Sequence, residues 1–356
     1  MKITFLSYYS GILPRGVEVF VHNLANRLIG LGDEVEVIQS GNALSNSLYR
    51  TIRIPMPINN LGQGYILIIL NQILDFINGG VFTLKALRHI TSKTQIVVPT
   101  NNRLQAVIIK LWSFFRKYKI LISGHGGPGL DERIALWTFP NVFVALSTPQ
   151  EDWAKKSNPF IKILKIPNGI DLEEFNPKSK PVMLDLPGPI VLCAAAIWPW
   201  MKRQHLLIQA MQHVPNVSLL LVGDGEGRAE IEKLGNKLLP GRFMLKSFAH
   251  KDMPGVYTAC DLFAYPTSPW ESFGIVLLEG MSSGLGSVVT DDPIRREIVG
   301  EAGLYVDPTN VRAFAKTISD GLRTDWKDAP RKQASKFSWN VISQKYQELF
   351  LQLITK

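Results

Sequence analysis

Short apolar runs separated by stretches of helical spacing recur from the first residues onward. Lys2-Ile-Thr-Phe-Leu-Ser7 reads as a strand, 17–30 as an amphipathic helix and 34–39 as a second strand, the rhythm of a βαβ unit. The same alternation predicts strands over 95–99, 119–123 and 142–146 and a helix over 104–116. Prolines at 167, 177, 181, 187 and 189 then interrupt it, with Ile166-Pro-Asn-Gly-Ile-Asp171 at the near edge of a linker. Beyond them the rhythm restarts with strand 190–195, helix 204–212, strand 218–222, helix 227–239, strands 262–265 and 286–290, and a last amphipathic helix over 339–354. The prediction is an α/β chain of two doubly wound parallel sheets: a first domain over 1–180, a second over 181–338, and a terminal segment over 339–356. In such sheets ligands sit beyond the carboxyl ends of the strands, which sets the expected site in a cleft between the two domains.

Length agrees with that division, since 356 residues exceed one comfortable core. Cys193 and Cys260 both stand in apolar surroundings, as small core residues of a reducing compartment, and no metal site is expected from them. The start lacks the apolar core of a secretion signal, and the uncharged run over 54–74 is broken by Pro55 and Pro57, so neither export nor a membrane span is expected. The expected location is cytoplasmic, at the inner face of the cell membrane. Charge is uneven: residues 1–180 hold 20 Lys and Arg against 12 Asp and Glu, net +8, whereas 181–356 hold 19 against 18. A basic first half fits an anionic surface or simply a solvated one.

Four loops carry the candidate chemistry. Gly11-Ile-Leu-Pro-Arg-Gly16 follows the first strand and opens a helix, so the amides from Gly16 to Glu18 can face an anion. Ser123-Gly-His125-Gly-Gly-Pro-Gly follows a central strand, and an imidazole among glycines suits a hydrogen bond to a substrate hydroxyl or proton transfer. Trp198-Pro-Trp-Met-Lys202-Arg203 places two cations beside aromatics, fit to neutralise phosphates or to face solvent. In Glu271-Ser272-Phe273-Gly274-Ile275-Val-Leu-Leu-Glu279 a helix begins near Gly274. Its free amides favour a diphosphate, with Glu271 on one side and Glu279 inside the helix, among apolar neighbours, on the other.

Taken with Asn168-Gly-Ile-Asp171, Leu221-Val-Gly-Asp-Gly225, Thr290-Asp-Asp-Pro-Ile-Arg-Arg-Glu and Gly303-Leu-Tyr-Val-Asp-Pro, these loops resemble the group 1 glycosyltransferases, family 4, of the GT-B fold. The resemblance is most specific over 271–307. It implies retaining transfer of a hexose from a UDP- or GDP-sugar to a hydroxyl of a glycan or lipid-linked acceptor. It also implies that neither a cofactor nor a catalytic metal takes part and that no nucleic acid is a partner. Residue by residue, it implies Glu279 on the ribose and Lys202, with Gly16, Ser272, Phe273, Gly274 and Ile275, at the diphosphate. Arg203 is a further donor-side candidate, Glu271 would hold sugar hydroxyls, and His125 would touch the sugar near the reacting centre. It departs from this chain at three places. Cys193-Ala-Ala-Ala-Ile197 lacks the arginine usual in a Gly-Arg-Leu context, with Arg203 and Arg15 as substitutes; Arg15 replaces a glycine; Gly286 replaces a proline. A GT-B epimerase or phosphorylase, and a nucleotide-sugar sensor or partner subunit without turnover, remain as alternatives. The aromatic and basic segment 104–122, with 65–77 beside it, suits peripheral contact with an anionic membrane or, equally, a core helix with a basic end.

Overall fold

The computed structural model describes the chain except residues 14, 58–64, 102 and 356 and the side chains of 65–69. The apolar run at 65–69 therefore lies outside the described side chains.

The contacts divide the chain into two units: Met1–Pro167 with Trp339–Lys356, and Asn168–Ser338. The first contains β1 (Lys2–Ser7), α1 (Gly16–Gly30), β2 (Glu34–Gln39), β3 (Arg50–Arg53), α2 (Tyr65–Ala86), β4 (Ile96–Pro99), α3 (Arg103–Ser113), β5 (Lys119–Ser123), α4 (Leu130–Trp137), β6 (Val142–Ala145), α5 (Thr148–Ser157) and β7 (Ile163–Lys165). Its seven strands are ordered β3-β2-β1-β4-β5-β6-β7, with every pairing parallel.

Both faces of this sheet are covered, so its strands read as apolar runs without strict alternation. On one face Ile3, Phe5, Val35 and Val37 pack with Phe20, Leu24 and Leu28 of α1. On the other Leu6, Ile38, Val97 and Ile120 meet Phe82, Ile109 and Leu136 from α2, α3 and α4.

The second unit contains β8 (Ile190–Ala194), α6 (Pro199–Lys202), α7 (Gln204–Met211), β9 (Ser218–Val222), α8 (Arg228–Leu238), β10 (Phe243–Lys246), α9 (Met253–Thr258), β11 (Leu262–Tyr265), α10 (Ile275–Ser282), β12 (Ser287–Thr290), α11 (Pro293–Val299), β13 (Gly303–Val306), α12 (Val311–Arg323) and α13 (Ala329–Ser335). Its sheet, also parallel, is ordered β10-β9-β8-β11-β12-β13. The last helix, α14 (Trp339–Ile354), returns to the first unit, where Trp339, Ile342, Tyr346, Leu349 and Phe350 join the α1 side of the core.

The boundary falls at Pro167, earlier than the proline run places it. Ile170 donates its amide to Phe337 O at 2.9 Å. Arg331 donates to the carbonyls of Leu172 and Phe175 at 2.8 and 3.1 Å. Pro177, Pro181, Pro187 and Pro189 therefore belong to the second unit's surface. Gly286 also finds its reason here: a Cβ would lie 2.1 Å from the Trp326 indole, so a proline has no room.

Candidate functional site

In the second unit β8 and β11 are neighbours at the point where strand order reverses, the place where loops part to admit a ligand. The loop after β8 runs into the single turn of α6, which Arg203 ends in a left-handed conformation, φ 53°. Lys202 Nζ donates to Glu271 Oε2 and, at 3.1 Å, to the Tyr265 hydroxyl. Both charged side chains are 14% exposed. Burial alone lowers the lysine's pKa, but Tyr265 and Glu271 outweigh it and hold the ammonium above its ordinary value. Tyr265 is itself pushed up, by burial first and by Glu271 second. Behind the larger effect of the Thr309 hydrogen bonds, the charge of Arg203 helps hold Asp307 below the usual carboxylate range.

The loop bearing Glu271 is fastened from two sides. Ser268 N and Thr267 Oγ1 donate to Met201 O at 2.7 and 3.2 Å, which ties it to the turn carrying Lys202. From α11 comes Arg295, fully buried, whose Nη1 and Nη2 donate to the carbonyls of Glu271 and Ser268 at 2.8 and 3.4 Å. Its Nε donates to Asp292 Oδ2 at 2.7 Å, while Asp292 Oδ1 caps α11 by accepting from the amides of Ile294 and Arg295. Outside this framework Trp198 and Trp200 make an exposed edge-to-face pair with centroids 4.7 Å apart, and Trp270 is 69% exposed.

Ser272, Phe273 and Gly274 lead into α10. Gly274 has φ 87° and lies against the Tyr265 ring, so a side chain here would be strained and would press on that ring. Phe273 is buried against Phe337, centroids 6.2 Å apart, so its side chain serves the core and only its backbone is available to a ligand. Ile275, the first helical residue, is half-buried. Glu279, in the second turn, is buried, and its Oε2 accepts from the Tyr257 hydroxyl at 2.7 Å. Burial raises this carboxyl above its usual range against the opposing pull of His250 and Tyr257. His250 Nδ1 in turn lies 3.6 Å from Glu174 Oε1.

In the first unit the corresponding neighbours are β1 and β4. Gly16 starts α1, and Arg15, the residue before it, grips Glu18 through Nε at 3.1 Å and Nη2 at 2.8 Å. The guanidinium also lies 4.1 Å from the centre of the Tyr9 ring. Arg15 is thus committed to its own helix start. His125, though set among glycines, is packed against another side chain. Its ring lies on Phe20, centroids 4.4 Å apart, with Nε2 enclosed, and burial lowers its pKa to about 4. The loop around it is held by Gln150, which donates to Gly124 O at 2.5 Å. Glu132 of α4 also holds it, accepting from the Gly126 amide; burial raises that carboxyl to about 7.

The structure thus joins Lys202 with Glu271 beside the start of α10 and sets Glu279 inside that helix. Sequence reasoning missed Tyr265, Tyr257, His250 and Arg295. For Arg295 the signal was thin, because two arginines adjoin in Thr290-Asp-Asp-Pro-Ile-Arg-Arg-Glu. One is wholly buried, and its neighbour Arg296 pairs at the surface with Asp291 at 2.6 Å.

Residues 188–324 match the family model described as glycosyl transferases group 1. A phosphatidyl-myo-inositol mannosyltransferase of Mycobacterium tuberculosis is 28% identical over 204 residues, 52% of this chain and 53% of that protein. The chain spans between 24% and 53% of the length of the first curated relatives it matches. Among solved structures, sucrose-phosphate synthase from Thermosynechococcus elongatus is similar with a TM-score of 0.82 and 19% identity, over 99% of both chains. HepE of Anabaena, solved in complex with UDP, is similar with a TM-score of 0.78 and 20% identity, over 99% of this chain and 100% of that one. The architecture is that of the GT-B glycosyltransferases, two Rossmann-like domains.

Proposed function

We infer, from the match of residues 188–324, that the chain belongs to the group 1 glycosyltransferases. From that premise we propose that the chain moves a hexose from a UDP- or GDP-sugar to a hydroxyl of a glycan or lipid-linked acceptor, in cell-surface glycan or glycolipid synthesis, with the anomeric configuration retained. One observation carries the reading: a half-buried lysine, linked to Glu271 and Tyr265, stands at the strand-order reversal beside the start of a helix that holds Glu279.

Lys202 and the amides at Gly274 and Ile275 neutralise the diphosphate, Glu279 Oε1 takes a ribose hydroxyl while Oε2 stays with Tyr257, and Glu271 passes from Lys202 to hydroxyls of the sugar. His125, neutral at physiological pH, donates or accepts a hydrogen bond with a sugar hydroxyl. The anomeric carbon loses its bond to the phosphate oxygen and gains one to the acceptor oxygen, and the acceptor's proton leaves on that phosphate oxygen. Charge stabilisation and orientation are then the protein's main contributions, and Lys202 with the helix amides does the work a metal would otherwise do.

Support comes from the family match, the mannosyltransferase relative and the UDP bound in HepE. The absence of a cation in Cys193-Ala-Ala-Ala-Ile197 favours a second reading, a nucleotide-sugar sensor without turnover. Release of nucleoside diphosphate from UDP-, GDP- and ADP-sugars, with candidate acceptors present, separates the two: binding without release selects the sensor. Calorimetry on Lys202→Ala should show nucleoside diphosphate affinity reduced by about tenfold or more and free nucleoside affinity nearly unchanged. Equal losses for both would remove Lys202 from the diphosphate.

A further inference from the structure

On the face of the first unit that carries α2, α3 and α4, the helices meet water with apolar side chains. α2 turns Gly80, Phe82, Thr83 and Ala86 inward. On its opposite side Leu70, Ile73, Ile77, Val81 and Leu84 are 37–58% exposed. Steps of three and four residues keep these five in one stripe about 20 Å long.

α3 lies alongside α2, with Leu104 against Gly80 and Arg103 over the Phe76 ring at 5.2 Å. Its end adds Leu111, Phe114 and Phe115, the phenylalanines 73% and 77% exposed. Trp137 and Phe139, exposed at the end of α4, continue the surface, joined to α3 by Lys110 Nζ, which donates to Phe139 O at 2.8 Å. On the opposite face of the sheet α14 exposes only Val341 and Leu351 among its described large apolar residues.

Charge identifies what covers this face. Residues 70–119 contain eight Lys and Arg and one carboxylate, Asp75. Lys85, Arg88, Arg116 and Lys117 are exposed around the apolar stripe and the Phe114–Phe115 corner. We propose that this face rests on an anionic lipid leaflet, with α2 parallel to it, the stripe and the two phenylalanines inserted among the acyl chains, and the cations at the headgroups. An acidic polymer would satisfy the cations but not the aliphatic stripe, which gains free energy only by leaving water. Among the described residues no helix is long and apolar enough to cross a membrane.

The face belongs to the first unit and Lys202 and Glu271 to the second, so lipid binding and nucleotide binding can fail separately. The test is flotation of the full chain with vesicles of phosphatidylcholine alone and of phosphatidylcholine mixed equally with phosphatidylglycerol. Binding to the anionic vesicles at low salt, weakened by added salt, is expected. The double variant Ile73→Ser/Ile77→Ser should weaken it by about tenfold or more, and Arg116→Gln/Lys117→Gln should abolish the preference for anionic lipid. Both variants should keep the parental melting temperature and UDP or GDP affinity. Wild-type chain that does not float, or flotation unchanged by both variants, overturns the proposal. A dimer in sedimentation that the Ile73→Ser/Ile77→Ser variant dissociates, with no vesicle binding, would assign the face to a second copy instead.

Discussion

The two strand-order reversals share a topology but hold their cations differently. At β8 and β11 the cation is a lysine 14% exposed, and its carboxylate partner, Glu271, comes from another loop. At β1 and β4 it is Arg15, whose side chain is 50% exposed and is neutralised by Glu18 three residues on. A pair drawn from two loops can trade its internal partner for a ligand anion and transmit that exchange to both loops. A pair within one helical turn is satisfied locally and chiefly fixes the start of α1. The difference agrees with the proposed place of the donor diphosphate in the second unit and gives Arg15 a structural part.

Arg295 is the sharpest place to break that contrast. It underlies the Glu271 loop and has no counterpart at the first reversal among the described residues. Arg295→Met should destabilise the chain by about 3–5 kcal/mol in denaturant unfolding, because it leaves Asp292 buried without its partner and two carbonyls without donors. A loss below about 1 kcal/mol would mean that the loop holds itself. Arg15→Ala should act more weakly, lowering stability by about 1–2 kcal/mol as Glu18 loses its partner. Donor affinity in calorimetry should remain within about twofold of the parent. A loss of donor affinity matching that of Lys202→Ala would make Arg15 the missing diphosphate cation and would erase the distinction between the two reversals.

Nine of the strands and the helices α1, α3, α7, α8 and α14 were legible because their period is: Ile3, Phe5 and Leu6, or Leu219, Leu220 and Leu221, are apolar on both faces as a covered parallel sheet requires, whereas the long helices α2 and α12 were not anticipated. Short elements such as β3, β7 and α13 were not, since three to seven residues are too few to show a period. Within the site, Glu279 declared itself by standing as a charge among apolar neighbours, and Lys202 by pairing with Arg203 beside aromatics just after a strand. Tyr265 and Tyr257 did not, because a tyrosine at the end of a strand or on a buried helix reads as core until its hydroxyl is seen to reach Lys202 or Glu279. The packing of His125 on Phe20 was hidden for the same reason: it joins residues 105 positions apart, and only the fold brings them together.

The smallest expected effect concerns the His125 loop, where two titrations oppose each other. Glu132 is raised by burial from 4.5 to about 7, so the folded chain favours its protonated form. The stability linked to it is complete below about pH 4.5 and is lost as pH rises towards 7. His125, lowered by burial from 6.5 to about 4, has the reverse sign: its contribution is complete above about pH 6.5 and is lost as pH falls towards 4. In the parent chain the two slopes partly cancel over the shared range. Glu132→Gln keeps a hydrogen-bonding side chain near Gly126 but removes one titration, so the melting temperature of the variant should fall more steeply than the parent's as pH drops from about 7 to about 5. Parallel curves for the two proteins would show that Glu132 does not titrate in this window, and the Gly126 amide would then be holding an ionised carboxylate. Either result bears on the contrast between the units, because it decides whether the first unit's glycine loop is held by a neutral acid or by a charge, as the second unit's loop is held by Arg295.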